Sequence, residues 1–301
     1  MLKVLKSKII EKLRHSHFVI SPKQTINNYF LNLLGLQVLR MIWANLFRLR
    51  PEKVAPEYEA YADILERDGI LVIEDFLPQH MFDELKSDSA SLRSKASAIM
   101  HDTTMEIKIE ANTSAYIDYV RNNQLILELV SAFTHRRMKR KPQPYLWQYQ
   151  KRSDVETVID SSVHSSHFAH TDKHYPIFKV FYTLSDIDKD NGAFTYYKTS
   201  HKFSWWRLLF EYKFSVAQSL LWKESKNPLQ IYDPETILES AGFKPTPMEG
   251  KANTLVLANT MGFHRRGEFH NTKPREYAHL DFNYLESLYS RLKYLFKSDD
   301  R

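Results

Sequence analysis

The chain has 301 residues, 26% of them charged, a formal net charge of +6 and no cysteine. Without cysteine, disulfides and thiolate metal sites are excluded, so any metal must be held by His and carboxylates, and a reducing, cytoplasmic setting is expected. The charge is uneven: residues 1–55 carry +8 and the remainder −2, which excludes a body that binds nucleic acid generally.

In residues 2–14, Leu2, Leu5, Ile9 and Leu13 form one stripe with Lys3, Lys6, Lys8, Lys12 and Arg14 around it. That spacing predicts a short basic amphipathic helix. After Ser21-Pro22 a semi-apolar helix is expected, uncharged from Gln24 to Leu39 and interrupted by Arg40. It is too short and too polar for a span, which needs about 20 apolar residues. Nor is it a secretory signal, because no small-residue cleavage site follows a compact apolar core. Two readings stand side by side: peripheral attachment to the inner, anionic face of a membrane, or a helical cover on the rest of the protein.

Residues 51–56 read as a linker. A helix is expected over 58–68, a strand over 69–73, a helix over 82–100 and another over 115–139. The basic run 135–141 that ends the last one suits a helix C-terminus. Residues 145–150 alternate as a strand with one buried face, and Gln148 is a candidate to face a cavity. Residues 179–184 and 193–197 read as strands joined by an Asp190-Asn191-Gly192 turn. Residues 203–249 interrupt the pattern, with an aromatic helical part from Ser204 to Trp222 and a short helix at 234–241; an insertion of this length is a lid or binding loop more often than a plain connection. Apolar strand 253–258, strand 275–284 and a polar helix with tail over 285–301 close the chain. No Walker loop, dinucleotide fingerprint or G-x-S-x-G occurs.

The chemistry concentrates around His170-Thr171-Asp172. On extended backbone, side chains two apart point the same way, so His170 and Asp172 can grip one ion from one side. A third ligand, His264, must come from a distant strand, with His270 its rival. Two His and one carboxylate on one face leave positions open, as non-haem iron oxygenases require. Arg275 offers the planar fork that binds a carboxylate at two points. A zinc site on His170 and His174 would need helical spacing, which Pro176 and the following strand oppose.

These residues resemble the phytanoyl-CoA dioxygenase family of Fe(II)/2-oxoglutarate oxygenases. The likeness runs over about residues 56–290 and rests on His170-x-Asp172, the Asp188–Gly192 turn, Thr199-Ser200-His201, His264 and, eleven residues on, Arg275. The stretch Asp68–Leu77 resembles the family's opening strand. One departure is Lys198-Thr199, where the family usually has Pro-Gly. The resemblance implies a mainly β fold with flanking helices, a double-stranded β-helix (jelly-roll, cupin-like) barrel. It implies Fe(II) on His170, Asp172 and His264, with 2-oxoglutarate held by Arg275 and touched by Phe181 and Thr183. The eleven-residue step favours His264 over His270, and His201 is expected to hold the corner after the second strand. The implied activity is a dioxygenase that hydroxylates a small-molecule or lipid-linked substrate. A non-catalytic membrane-surface protein and a cupin-type metalloprotein without an oxoacid are the alternatives. The expected organisation is a basic segment over 1–55, an oxygenase domain over 56–290 with the insertion 203–249, and a tail over 291–301.

Overall fold

The computed structural model describes residues 28–46, 50–97, 99–100, 104–110, 114–136, 142–151, 168–221 and 233–283. The helices are α1 (Tyr29–Leu33), α2 (Leu36–Asn45), α3 (Glu59–Asp68), α4 (Gln79–Arg93), α5 (Ala115–Arg121), α6 (Gln124–Thr134), α7 (Trp205–Leu221) and α8 (Pro234–Ser240). The strands are β1 (Ile70–Ile73), β2 (Ile99–Met100), β3 (Thr104–Glu110), β4 (Pro144–Lys151), β5 (Phe178–Thr183), β6 (Phe194–Tyr197), β7 (Pro245–Pro247), β8 (Leu255–Asn259), β9 (His264–Arg266) and β10 (Arg275–Phe282). A seven-stranded sheet runs β1-β8-β5-β10-β4-β3-β2 and a three-stranded sheet runs β7-β6-β9, with every pairing antiparallel. This is the jelly-roll architecture expected from the sequence.

The large sheet is covered on both faces, and the two-residue period decides which side chain goes where. On β10, Ala278, Leu280 and Phe282 join Leu146 of β4, Val180 and Tyr182 of β5, and Leu255 and Leu257 of β8 in a core that α3 to α6 close from outside. The alternate positions, Arg275, Tyr277 and His279, turn inward with Trp147, Tyr149, Lys179, Phe181 and Thr183. Gln148 therefore does not face the cavity. It shares the outer face with Leu146, and the strand expected to have one buried face has two.

Two helices are shorter than expected. Residues 82–100 give α4 ending at Arg93, and Ile99–Met100 pair with β3 instead. Residues 115–139 split into α5 and α6 at Asn122-Asn123, because the Asn123 side chain accepts from the Leu125 N–H and caps a new helix. Helix α6 ends at His135, in the left-handed region at φ 52°. The amphipathic stretch 2–14, the basic run beyond Arg136, Trp222 and the helix expected over 285–301 lie outside the described residues.

The departure at Lys198-Thr199 has a structural counterpart. Thr199 adopts φ +68°, the left-handed conformation that glycine takes without strain. The corner keeps its geometry because it is tied on several sides: the Thr199 N–H donates to Asp68 O, the Ser200 hydroxyl to Tyr197 O, and the Phe263 N–H to the Ser200 hydroxyl. His201 packs under it, its Nε2 3.1 Å from Glu66 O. Its ring lies against Gly69, where any Cβ would meet it.

The helix expected after Ser21-Pro22 is α1 and α2, broken at Gly35 with φ +82°. Both pack on α7, the aromatic helix of the insertion.

Candidate metal centre

Residues 168–172 run alongside the loop and strand that carry His264. His170 and His264 form an antiparallel bridge, His170 N–H to His264 O at 3.0 Å and the reverse at 2.9 Å. The Asp172 N–H donates to Thr260 O at 3.0 Å. These bonds fix the backbone on both sides of the site, and the ligand atoms of His170, Asp172 and His264 all lie within 4.8 Å of one another. Among the described residues this is the one group of His and carboxylates so placed. His270 lies apart, beside Glu268 on the surface.

The rings fit a metal. His170 Nδ1 lies 2.8 Å from Phe168 O and His264 Nδ1 3.0 Å from Gly262 O. A carbonyl only accepts, so each Nδ1 carries the hydrogen and each Nε2 presents a lone pair. Those Nε2 atoms sit 3.9 and 3.7 Å from the two Asp172 carboxylate oxygens. A backbone carbonyl behind each ring is the arrangement that orients metal-binding histidines. Burial pushes His264 down to about 3 and lowers His170, each against the pull of Asp172. Both rings are thus neutral, the form that binds a cation. Burial alone would raise the Asp172 carboxyl, but Lys179 Nζ at 2.7 Å more than offsets it and holds it below the usual carboxylate range.

Beside the three ligands the cavity is aromatic and cationic. Lys179 pairs with Asp172, and Arg265 pairs with Glu235 of α8 at 3.2 Å. Arg275 and Arg266 have no carboxylate partner among the described residues. The Arg275 guanidinium lies 5.1, 5.4 and 5.7 Å from the ring centres of Tyr277, Tyr149 and Phe269. Among the described residues its Nε has no hydrogen-bond partner. Burial lowers its pKa, with Arg266 nearby adding to the effect. A buried guanidinium without a counter-charge is costly unless an anion meets it. Arg266 stacks on Tyr149 at 4.0 Å. It stands two residues after His264 on β9, and its charge is felt at His170.

Phe181 lines the cavity, against Phe194 at 4.7 Å and His279 at 5.2 Å. Thr183 also lines it, but its hydroxyl is engaged with backbone: it donates toward Lys251 O at 2.9 Å and accepts from the Thr254 N–H at 3.0 Å. Sequence reasoning missed Arg266, Tyr149, Tyr277 and His279. Counting in twos from His264 and from Arg275 would have found Arg266, Tyr277 and His279. His279 stays neutral because burial, with Lys179 adding to it, pushes it down to about 3.

No family model matches the sequence, and no curated protein matches it. Among solved structures, EctD from S. alaskensis with bound Fe is similar over 80% of this chain and 85% of that chain, with 16% identity and a TM-score of 0.51. The non-heme alpha ketoglutarate dependent epimerase SnoN from nogalamycin biosynthesis is similar over 74% of this chain and 80% of that one, at 12% identity and TM-score 0.48. HygX from Streptomyces hygroscopicus with nickel and 2-oxoglutarate bound is similar over 76% and 87%, at 16% identity and TM-score 0.44. The likeness to EctD bears on the fold alone.

Proposed function

We propose that the chain is an Fe(II)/2-oxoglutarate-dependent dioxygenase, of the phytanoyl-CoA dioxygenase type, that hydroxylates an anionic, amphiphilic small molecule such as a lipid-linked sugar. The observation that carries the reading is the meeting of three convergent ligands, His170, Asp172 and His264, with a buried cation, Arg275, that has no carboxylate partner among the described residues. The fold is also one that holds iron in EctD.

Iron and 2-oxoglutarate, when bound, supply the oxidising chemistry with O2, releasing succinate and CO2. The chain's own residues bind, orient and exclude water. His170, Asp172 and His264 hold the metal from one side and leave the other side open. Arg275 takes the distal carboxylate of the cosubstrate, and the rings of Tyr149, Tyr277 and Phe269 around it keep water from competing. Asp172 is a carboxylate and so fills the third ligand position itself.

The anionic substrate is argued from Arg266. Once Arg275 is committed to the cosubstrate, Arg266 is the remaining cavity cation without a carboxylate partner among the described residues, and it rises from the same strand face as His264. An anionic group bound there would set the rest of the substrate toward the metal.

The test is a titration of 2-oxoglutarate into the Fe(II)-loaded protein followed by calorimetry, then a screen of anionic amphiphiles read by mass spectrometry for a gain of one oxygen. Tight 2-oxoglutarate binding that needs the metal supports the reading, and its absence sinks it. With a substrate in hand, Arg266→Gln should raise the KM for the substrate and leave that for 2-oxoglutarate nearly unchanged. The opposite pattern would assign Arg266 to the cosubstrate.

A further inference from the structure

Helices α1, α2 and α7 form a layer whose outer face is apolar. Water-facing helices of a soluble domain bury their apolar stripe and expose their charges. Here Met41, Ala44, Leu208 and Phe210 are buried, but so are most of the charged and many of the polar residues, while a second set of large apolar side chains faces out. Helix α2 buries Gln37, Arg40 and Asn45 and exposes Leu39 at 59%; Leu46 beyond it is 47% exposed. Helix α1 buries Asn32 and exposes Phe30 at 71%, with Leu34 after it at 79%. Helix α7 buries Arg207, Glu211, Ser215 and Ser219 and exposes Trp205 at 87% and Leu209 at 53%.

Most of the polar groups turned inward have partners there. Arg207, fully buried, donates to Glu211 through Nε at 3.1 Å and to Ser200 O and Met261 O through Nη1 at 2.9 and 3.0 Å. Asn32 Nδ2 donates to Ser215 O at 3.0 Å, and Arg40 Nη1 to Gln37 Oε1 at 2.9 Å. The layer is therefore a stable arrangement and not an exposed core. In residues 28–46 the one charged side chain, Arg40, points in. On α7 the one exposed charge is Lys213. Nine of the twelve large apolar side chains exposed among the described residues belong to this layer or to the residues that end its helices.

We infer that this outer face seats in the headgroup and acyl boundary of an anionic membrane, lying on it without crossing it. Three observations favour lipid over a protein partner. Polar residues turned inward and apolar residues outward is the pattern helices show when their surroundings are hydrocarbon. No helix among the described residues is long and apolar enough to cross a membrane, which leaves an interfacial position. The sequence leading into α1, residues 1–27, carries six Lys or Arg and one Glu. That charge precedes α1 in the sequence and complements an anionic leaflet, at about 1 kcal/mol for each cation near the surface. The inner side of α7 reaches the metal strand, since Trp206 and Phe210 pack on Phe263, the neighbour of His264. A protein seated this way holds its cavity at a fixed place relative to lipid.

The experiment uses full-length protein and sedimentation with vesicles of phosphatidylcholine alone and of phosphatidylcholine mixed with phosphatidylglycerol. Wild type should sediment with the mixed vesicles, and lipids brominated in the acyl chain should quench its tryptophan fluorescence. The triple variant Leu39→Gln, Trp205→Gln, Leu209→Gln should stay in solution, with affinity down by about tenfold for each side chain removed from apolar contact. Its melting temperature and its binding of 2-oxoglutarate should match wild type, because all three side chains are exposed and none lines the cavity. Wild type that ignores both vesicles, or a triple variant that binds as wild type does, overturns the inference. So does a wild-type dimer in buffer that the triple substitution dissociates, which would give the face to a second copy of the chain. Each of these outcomes leaves the metal-centre reading standing.

Discussion

His170 and His264 exchange both backbone hydrogen bonds, at 3.0 and 2.9 Å, and their rings stand 4.5 Å apart. The two ligands are thus positioned by a β-bridge and not by the ion. The first prediction follows: the metal-free protein is folded, and Fe(II) stabilises it by mass action, by about 2.7 kcal/mol at a hundredfold excess over Kd, which raises its melting temperature. His170→Ala and His264→Ala should abolish the metal-induced shift and leave a folded protein. Asp172→Ala should also lower the stability of the metal-free form, by about 2 kcal/mol, because it strands Lys179 Nζ, now 2.7 Å from the carboxylate. Thermal melts with and without metal check all three.

Arg275 sits in a box of Tyr149, Tyr277 and Phe269 with no carboxylate among the described residues to meet it. Arg275→Ala should weaken 2-oxoglutarate binding by about 2–5 kcal/mol, some thirtyfold to several thousandfold, with metal binding unchanged. Calorimetry on the Fe(II)-loaded variant measures both. An unaltered affinity would move the role to another cation, with Lys179 the first to test.

Thr199 holds φ +68° at a corner where a β-branched residue is strained. Thr199→Gly should raise stability by roughly 1 kcal/mol, the relief of left-handed strain less the extra backbone entropy of glycine. Denaturant titration gives the sign directly. A loss of stability would mean that the Thr199 side chain contributes more than its backbone costs.

His201 is buried beside Gly69, and burial pushes its pKa down to about 4 from an ordinary 6.5. The unfolded chain therefore takes up the proton first. The neutral ring's contribution is fully present above pH 6.5 and is lost as the pH falls toward 4, about 3 kcal/mol in all. His201→Gln should flatten the fall of stability over that window by about 1.4 kcal/mol per pH unit, read from denaturation midpoints at a series of pH values.

The sequence spoke clearly where a physical period or a fixed conformation was at stake. The strand alternation from Lys179 to Thr183 and the extended spacing of His170 and Asp172 both reappear as geometry. Capping was less visible: Asn123 divides residues 115–134 into two helices through one side-chain hydrogen bond, a local event that an apolar stripe does not register. The orientation of β4 was misjudged because a sheet covered on both faces buries Leu146 and Tyr149 alike, so alternation alone could not say which side held the cavity. The apolar outer face of α1, α2 and α7 was hidden for a different reason. An apolar stripe is read as facing inward by default; here Met41, Leu208 and Phe210 do so, and the exposure of Phe30, Leu39, Trp205 and Leu209 beside buried Arg40 and Arg207 shows a second apolar set that faces out.

The central claim is that His170, Asp172, His264 and Arg275 form one iron and 2-oxoglutarate centre. The most direct measurement is release of labelled CO2 from 2-oxoglutarate carrying the label in its C1 carboxylate, with Fe(II), O2 and full-length protein. The account predicts slow release even without substrate that vanishes on leaving out iron, in His264→Ala and at 2-oxoglutarate levels that no longer saturate Arg275→Ala. Release that persists in His264→Ala, or none from wild type loaded with iron and shown to bind 2-oxoglutarate, would contradict it.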